Sequence, residues 1–155
     1  MKKYFASLFL ALTTFDMGVK SYVEENFVTG EKREAAIPKV VFRKIHNKGF
    51  CLNAFDKYPA LVKSISALLC GGLGVKASHL FGKRGRWIEK LGMTLLGAGA
   101  FSNTFDRLIR GYVVDYFGIK INNSKLSKIT ANLADLYILT GVSILTVSKE
   151  KRGKV

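Results

Sequence analysis

The chain has 155 residues, room for one domain, and is 48% hydrophobic with a formal net charge of +14. A basic soluble domain would suggest a nucleic-acid binder, with its charge gathered on one face. Here the basic residues cluster between apolar runs, which argues against nucleic acid and for charged loops joining membrane segments.

The first apolar run covers 4–23. Met1, Lys2 and Lys3 ahead of it resemble the start of a secretory signal. No small-x-small cleavage site follows cleanly, and Asp16 and Lys20 interrupt the tail, so the run reads as an uncleaved helix. Asp16 and Lys20 stand at i and i+4 on one face. Two readings stand: a self-satisfied ion pair near the outer interface, or a Lys20 that reaches other polar groups of a site.

The segment 24–58 contains Glu24, Glu25, Glu31 and Glu34 and is punctuated by Gly30 and Pro38. Its "IPKVVFRKIHNKGF" is β-branched and partly alternating, which predicts a strand or hairpin. The second run, 59–81, has the charge-free core "SISALLCGGLGV" between Lys63 and Lys76, whose long stems can snorkel to the two interfaces.

The third run is 87–110. Gly92, Gly99, Asn103, Asp106 and Arg110 recur on one helix face, where small residues admit a neighbouring helix. Arg107 lies beside them, within reach of a bidentate pair with a carboxylate, and Asp106–Arg107 reads as a clamp that fixes packing. Gly111 suits a helix C′ position. "YVVDYF" then predicts an extended piece at the interface, with Tyr112 and Tyr116 as anchors and Asp115 among apolar neighbours. The fourth run, 129–147, places Asn132 and Asp135 at i and i+3, on one face near its outer end.

A helix needs about 20 residues to cross the hydrocarbon core. The first and fourth runs reach that length only by tolerating an acid inside. The expected fold is membrane all-α: a four-transmembrane-helix bundle with a small extracytoplasmic β-rich segment, one integral domain over 1–155. Basic residues at the inner ends predict a multi-pass protein with both termini cytoplasmic and 24–58 and 111–128 outside.

Cys51 and Cys70 read as free thiols. His46 and His79 are isolated, no Cys/His cluster has zinc spacing, and no metal site is expected. Asp115 and Asp135 are predicted to share one membrane depth. Close carboxylates do not easily both ionise, so such a pair can share a proton, one member activating water and the other protonating a leaving group.

"NTFDRLIRGYVVDYF" (103–117) with "NLAD" (132–135) resembles the bacterial lipoprotein signal peptidases, or signal peptidase II. That family carries Asn-x-x-Asp-Arg leading into Gly-x-Val-x-Asp, and later Phe-Asn-x-Ala-Asp. The first pattern is complete here; in the second, Ala131 stands where Phe is usual. Weaker matches are Asp16-x-x-x-Lys20 and "HNKGFCLN" (46–53) through Asn47 and Gly49, with Gly-Phe-Cys-Leu in place of Gly-Ala-Ala-Phe. The resemblance covers about 10–148. It implies a cell-membrane aspartyl protease that cleaves prolipoprotein signal peptides beside a diacylglyceryl-modified cysteine, without metal or organic cofactor. Asp115 and Asp135 match the catalytic aspartates. Asn103, Asp106, Arg107 and Asn132 match the motif around them, and Asp16, Lys20, Asn47 and Gly49 match other family positions.

The expected partners are prolipoprotein substrates and membrane lipid, with the enzyme a monomer. Two other readings stay open: a small transporter using Asp16, Asp106 and Asp135 as a polar path, and a non-catalytic relative that binds lipoproteins or lipids.

Overall fold

The structure is a computed structural model that describes residues 2–34, 38–50, 53–119 and 129–153. Four long helices carry most of the chain: α1 (Lys2–Asn26), α2 (Pro59–Gly82), α3 (Trp87–Ile109) and α4 (Leu133–Gly153). Four short strands, β1 (Lys32–Glu34), β2 (Val40–Asn47), β3 (Val113–Ile119) and β4 (Thr130–Ala131), form one antiparallel sheet in the order β1-β2-β3-β4.

Local chemistry explains the boundaries. Pro59 opens α2, where its missing N–H is no loss. Gly111 ends α3 with φ +87°, its N–H and that of Arg110 both donating to the Asp106 carbonyl at 3.2 and 2.8 Å. The fourth helix departs from expectation. It starts at Leu133, because Thr130 and Ala131 pair with Gly118 and Phe117 as a strand.

The central helix is α3, which packs against the other three. Its contact with α4 is a backbone-to-backbone approach. A Cβ on Gly99 would collide with the Ala134 carbonyl oxygen, and one on Gly141 would sit 2.6 Å from the Gly92 oxygen. The small face read on the third run is the seam with α4.

Polarity inside the bundle is inverted relative to a water-soluble core. Asp16, Lys20, Ser102, Asp106 and Asn132 are buried, whereas Leu10, Phe15, Leu68, Leu69 and Leu139 are exposed. Among the described residues, only Pro59–Gly82 is long and apolar enough to cross a membrane by length and composition. The other three helices turn ionisable residues inward.

The sheet lies over the bundle end that holds the C-terminus of α1 and the N-terminus of α4. Val114 and Tyr116 of β3 pack with Val23 of α1. A register shift in β2 between Phe42 and Ile45 leaves Arg43 and Lys44 both buried. Lys44 donates to the Glu24 carbonyl at 2.6 Å and the Phe27 carbonyl at 3.2 Å, and Arg43 to the Ile129 carbonyl at 2.6 Å. Lys44 thereby ties the sheet to the end of α1, and Arg43 ties β2 to the segment that enters β4. Tyr116 is not an interfacial anchor: its ring is 2% exposed and its hydroxyl sits inside the bundle, because the strand period sends it to the helix side. Tyr112 stacks on His46 at 3.9 Å and donates to Glu24 at 3.3 Å. Cys70 is free; Cys51 lies outside the described residues.

Candidate active site

Asp115 reaches its place through strand alternation. Val114 and Tyr116 face α1, so Asp115 and Val113 face the other way, into a cleft of about 500 Å³. Ile45 lies opposite Asp115 and Asn47 opposite Val113, so Asn47 is the diagonal neighbour of Asp115 on the same sheet face. Asp135 enters the same cleft from the first turn of α4, and Asn103 and Arg107 enter it from α3.

Three asparagines hold the two carboxylates, each oriented by a donor on its far side. Asn47 accepts from the Gly49 N–H at 3.0 Å and donates to Asp115 Oδ2 at 3.1 Å. Asn132 accepts from the Asp135 N–H at 3.0 Å and donates to Asp115 Oδ1 at 2.7 Å. Asn103 accepts from Lys20 Nζ at 2.8 Å and donates to Asp135 Oδ1 at 2.8 Å. An N–H facing the carbonyl side leaves each NH₂ aimed at a carboxylate.

Asn132 and Asp135 also form a capping box. Asn132 caps the Asp135 N–H, and Asp135 Oδ2 accepts from the Asn132 N–H at 3.1 Å. Asn132 is therefore the cap preceding α4 rather than a residue on its face.

Asp16 and Lys20 pair at 2.8 Å, and both are fully buried. Lys20 also reaches Asp106 at 3.2 Å, Ser102 at 3.1 Å and Asn103, so the second of the two readings holds. Asp16 Oδ1 accepts from Tyr116 Oη and the Ala134 N–H, each at 3.1 Å. Tyr116 Oη in turn accepts from the Leu133 N–H at 3.0 Å. The first three N–H groups of α4 thus have partners from β3, α1 and the Asn132 cap. Their positive helix end favours the nearby acids.

Asp106 is a packing clamp, tying α3 to Lys20 of α1, but Arg107 does not join it. Consecutive helix positions diverge by about 100°, so Asp106 turns to Lys20 and to Arg110, at 3.4 Å, while Arg107 turns to the cleft. No carboxylate pairs with Arg107 among the described residues; it donates to the Gly49 carbonyl at 2.8 Å and holds the 47–50 turn over the site. At Gly49 a Cβ would collide with the Ala54 carbonyl oxygen and lie 2.6 Å from the Asn53 carbonyl carbon. Asp106 supports the site from behind, through Lys20 and the Val114 N–H at 3.4 Å.

Sequence reasoning missed Ser102 and Tyr116. Ser102 Oγ donates to Asp16 at 2.5 Å and accepts from Lys20. Its one sequence signal is its place beside Asn103.

Burial pushes the Asp115 carboxyl up to about 7; the nearby Asp135 charge adds to that, and the amides of Asn47 and Asn132 partly oppose it. Among the described residues no His/Cys/Asp/Glu group is arranged to hold a metal. Two buried carboxylates in one cleft, each held by amide donors, are equipment for general acid–base hydrolysis.

Comparison with known proteins follows the same line. The family described as signal peptidase (SPase) II matches residues 8–149. The lipoprotein signal peptidase of Streptococcus pneumoniae is 30% identical over 147 residues, 94% of this chain and 92% of that one. That of Lactiplantibacillus plantarum is 26% identical over 143 residues, 90% and 89% of the two chains. A solved bacterial membrane enzyme shares the fold with a TM-score of 0.82 at 20% identity, over 96% of this chain and 88% of that one. A second has a TM-score of 0.76 at 19% identity, over 94% and 92%. The chain belongs to the signal peptidase II family, and it is a peptidase.

Proposed function

We propose that the chain removes signal peptides from diacylglyceryl-modified prolipoproteins, with Asp115 and Asp135 as its acid–base pair. The observation that carries this reading is the shared cleft: both carboxylates enter it, each held by asparagine amides. The ionised carboxylate takes a proton from water as it attacks the scissile carbonyl carbon. The protonated one donates to the carbonyl oxygen and becomes ionised; the first carboxylate, now carrying the proton from water, gives it to the leaving amine as the C–N bond breaks, while its partner takes back a proton from the gem-diol. The two aspartates share the acid and base roles as a pair, with one proton between them.

The cleft's walls favour a lipidated substrate. Below the carboxylates it is lined by Leu69, Ile138, Leu139 and Val142, of which Leu69, Leu139 and Val142 are exposed on the bundle surface. Acyl chains in a surrounding bilayer would meet that opening directly. Arg107 and the 47–50 turn lie above the peptide.

The inverted polarity of the bundle supports four membrane spans. Exposed large apolar side chains occur on all four helices, and the buried Asp16, Lys20 and Asp106 pair with one another. In this reading the sheet and the site lie outside, both termini are cytoplasmic, and the enzyme works as a monomer. Cysteine-accessibility labelling checks the orientation, in a chain with Cys51 and Cys70 replaced by Ser. Lys48→Cys should label from outside the cell and Gly153→Cys should not; the opposite pattern overturns the topology.

The activity is tested by incubating purified protein with a diacylglyceryl-modified prolipoprotein. Release of the signal peptide is expected, with the unmodified precursor left intact. No release from either would overturn the prolipoprotein reading and favour a non-catalytic relative that binds lipoproteins or lipids.

A further inference from the structure

A second cavity, of 440 Å³, lies at the opposite end of the bundle from the aspartates, where the start of α1 meets the α2–α3 connection. Lys2, Lys83, Arg84 and Lys90 line it together with Phe5 and Phe81, and no acid does. The two rings pack edge to face with centroids 5.4 Å apart and form its apolar floor.

Lys90 is the unusual member. It is 6% exposed and has no ion pair among the described residues. Its Nζ donates to the Lys83 carbonyl at 2.6 Å and lies 6.0 Å from the Phe81 ring centroid. A lysine ammonium has three donors, and one carbonyl occupies one of them. Buried cations are ordinarily matched by an acid, since an unmatched one is costly. The adjacent acid, Glu89, pairs with Arg86. Other buried lysines of this chain have carboxylates: Lys20 has Asp16 and Asp106, and Lys44 has Glu24.

We propose that this cavity is a phosphate-binding site whose Lys90, Lys83, Arg84 and Lys2 receive the phosphodiester of an anionic phospholipid headgroup. Three observations select that ligand class. The cavity is uniformly cationic, one of its cations is buried and unmatched, and its floor is apolar enough to take the glycerol and first methylenes of a lipid. Tyr4 and Trp87, both exposed and within two residues of the lining Phe5 and Gly85, are of the types that gather where headgroups meet hydrocarbon. Soluble phosphate offers the same oxygens without the apolar part.

Native mass spectrometry of the purified full-length chain tests the site, with phosphatidylglycerol, phosphatidylcholine and inorganic phosphate as separate probes. Phosphatidylcholine has the same phosphodiester but adds a quaternary ammonium, which the four cations of the cavity repel, so phosphatidylglycerol should be retained about tenfold more. Lys90→Met, which keeps the stem, should abolish that preference. Lys83→Gln/Arg84→Gln alters exposed positions only and should weaken it without touching the packed helices; Lys63→Met, away from the cavity, should not change it. Inorganic phosphate that competes as strongly as the lipid would keep the phosphate site and assign it a soluble source. Equal retention of both lipids, or an undiminished preference in both cavity variants with no phosphate competition, would overturn it.

Discussion

Asn103 donates to Asp135 Oδ1 at 2.8 Å while accepting from Lys20 Nζ at the same distance. Lysine has only donors, so it fixes which end of the amide is the carbonyl, and the NH₂ must face Asp135. One side chain therefore connects the buried Asp16–Lys20–Asp106 cluster to the cleft. Asn103→Leu keeps the volume and removes both functions. Turnover should fall by about 10- to 100-fold, the scale of one lost bond to a charged group, with substrate affinity little changed. A rise in KM at constant kcat would show instead that Asn103 binds substrate uniformly.

The proposed dyad makes the sharpest expectation. Asp115→Asn or Asp135→Asn should each lower turnover by about 10²–10⁴-fold or more, since general acid–base catalysis alone contributes that much. Expression and membrane insertion should persist. The double variant should be little worse than either single one, because the two act as a unit. Asp56→Asn, at an exposed position outside both motifs, serves as the control. Near-normal cleavage by either single variant would remove the dyad.

Asp115 should also make stability depend on pH. Its folded value is about 7, against 3.8 for the free group, so the folded state holds the proton more tightly. The stabilising contribution is then complete below about pH 4 and is lost as pH rises to about 7. Asp115→Asn has no such titration. Its Tm minus that of the native chain should become more positive from pH 5 to pH 8, whatever the offset from the altered hydrogen bonds to Asn47 and Asn132. A difference that stays flat across that range would mean Asp115 is not held protonated.

Gly49 occupies a turn with no room for a side chain. Its carbonyl takes Arg107 and its N–H orients Asn47, which holds Asp115. Gly49→Val must move the 53–54 backbone or shift the turn itself. Turnover should drop more than thermal stability, because the turn sits at the rim of the bundle while its two contacts reach into the site. Unchanged turnover in a well-expressed variant would count against a role for the turn.

Local periodicity made much of this protein readable in advance. Strand alternation in "YVVDYF" places Asp115 opposite in face to Val114 and Tyr116, and β2 forms where "VVFRKIHN" alternates. Helical spacing put Gly92 and Gly99 on one seam, and the i, i+3 spacing of Asn132 and Asp135 is that of their capping box. Each of these depends only on the 2- and 3.6-residue periods of the backbone. The apolar run from Ile129 predicts a helix start too early, because Thr130 and Ala131 pair instead with Gly118 and Phe117 of β3, a partner their spacing does not reveal. Packing alone decided which polar groups meet. Lys20 finds Asn103 across 83 positions, Tyr116 finds Asp16 across 100, and the Ala134 N–H finds Asp16 across 118. It also turned Arg107 to the Gly49 carbonyl rather than to a carboxylate, and Tyr116 inward rather than to the interface. Spacing along a chain assigns a side chain to a face. Its partner is set by which elements fold against that face and by the requirement that every buried donor and charge find an acceptor there.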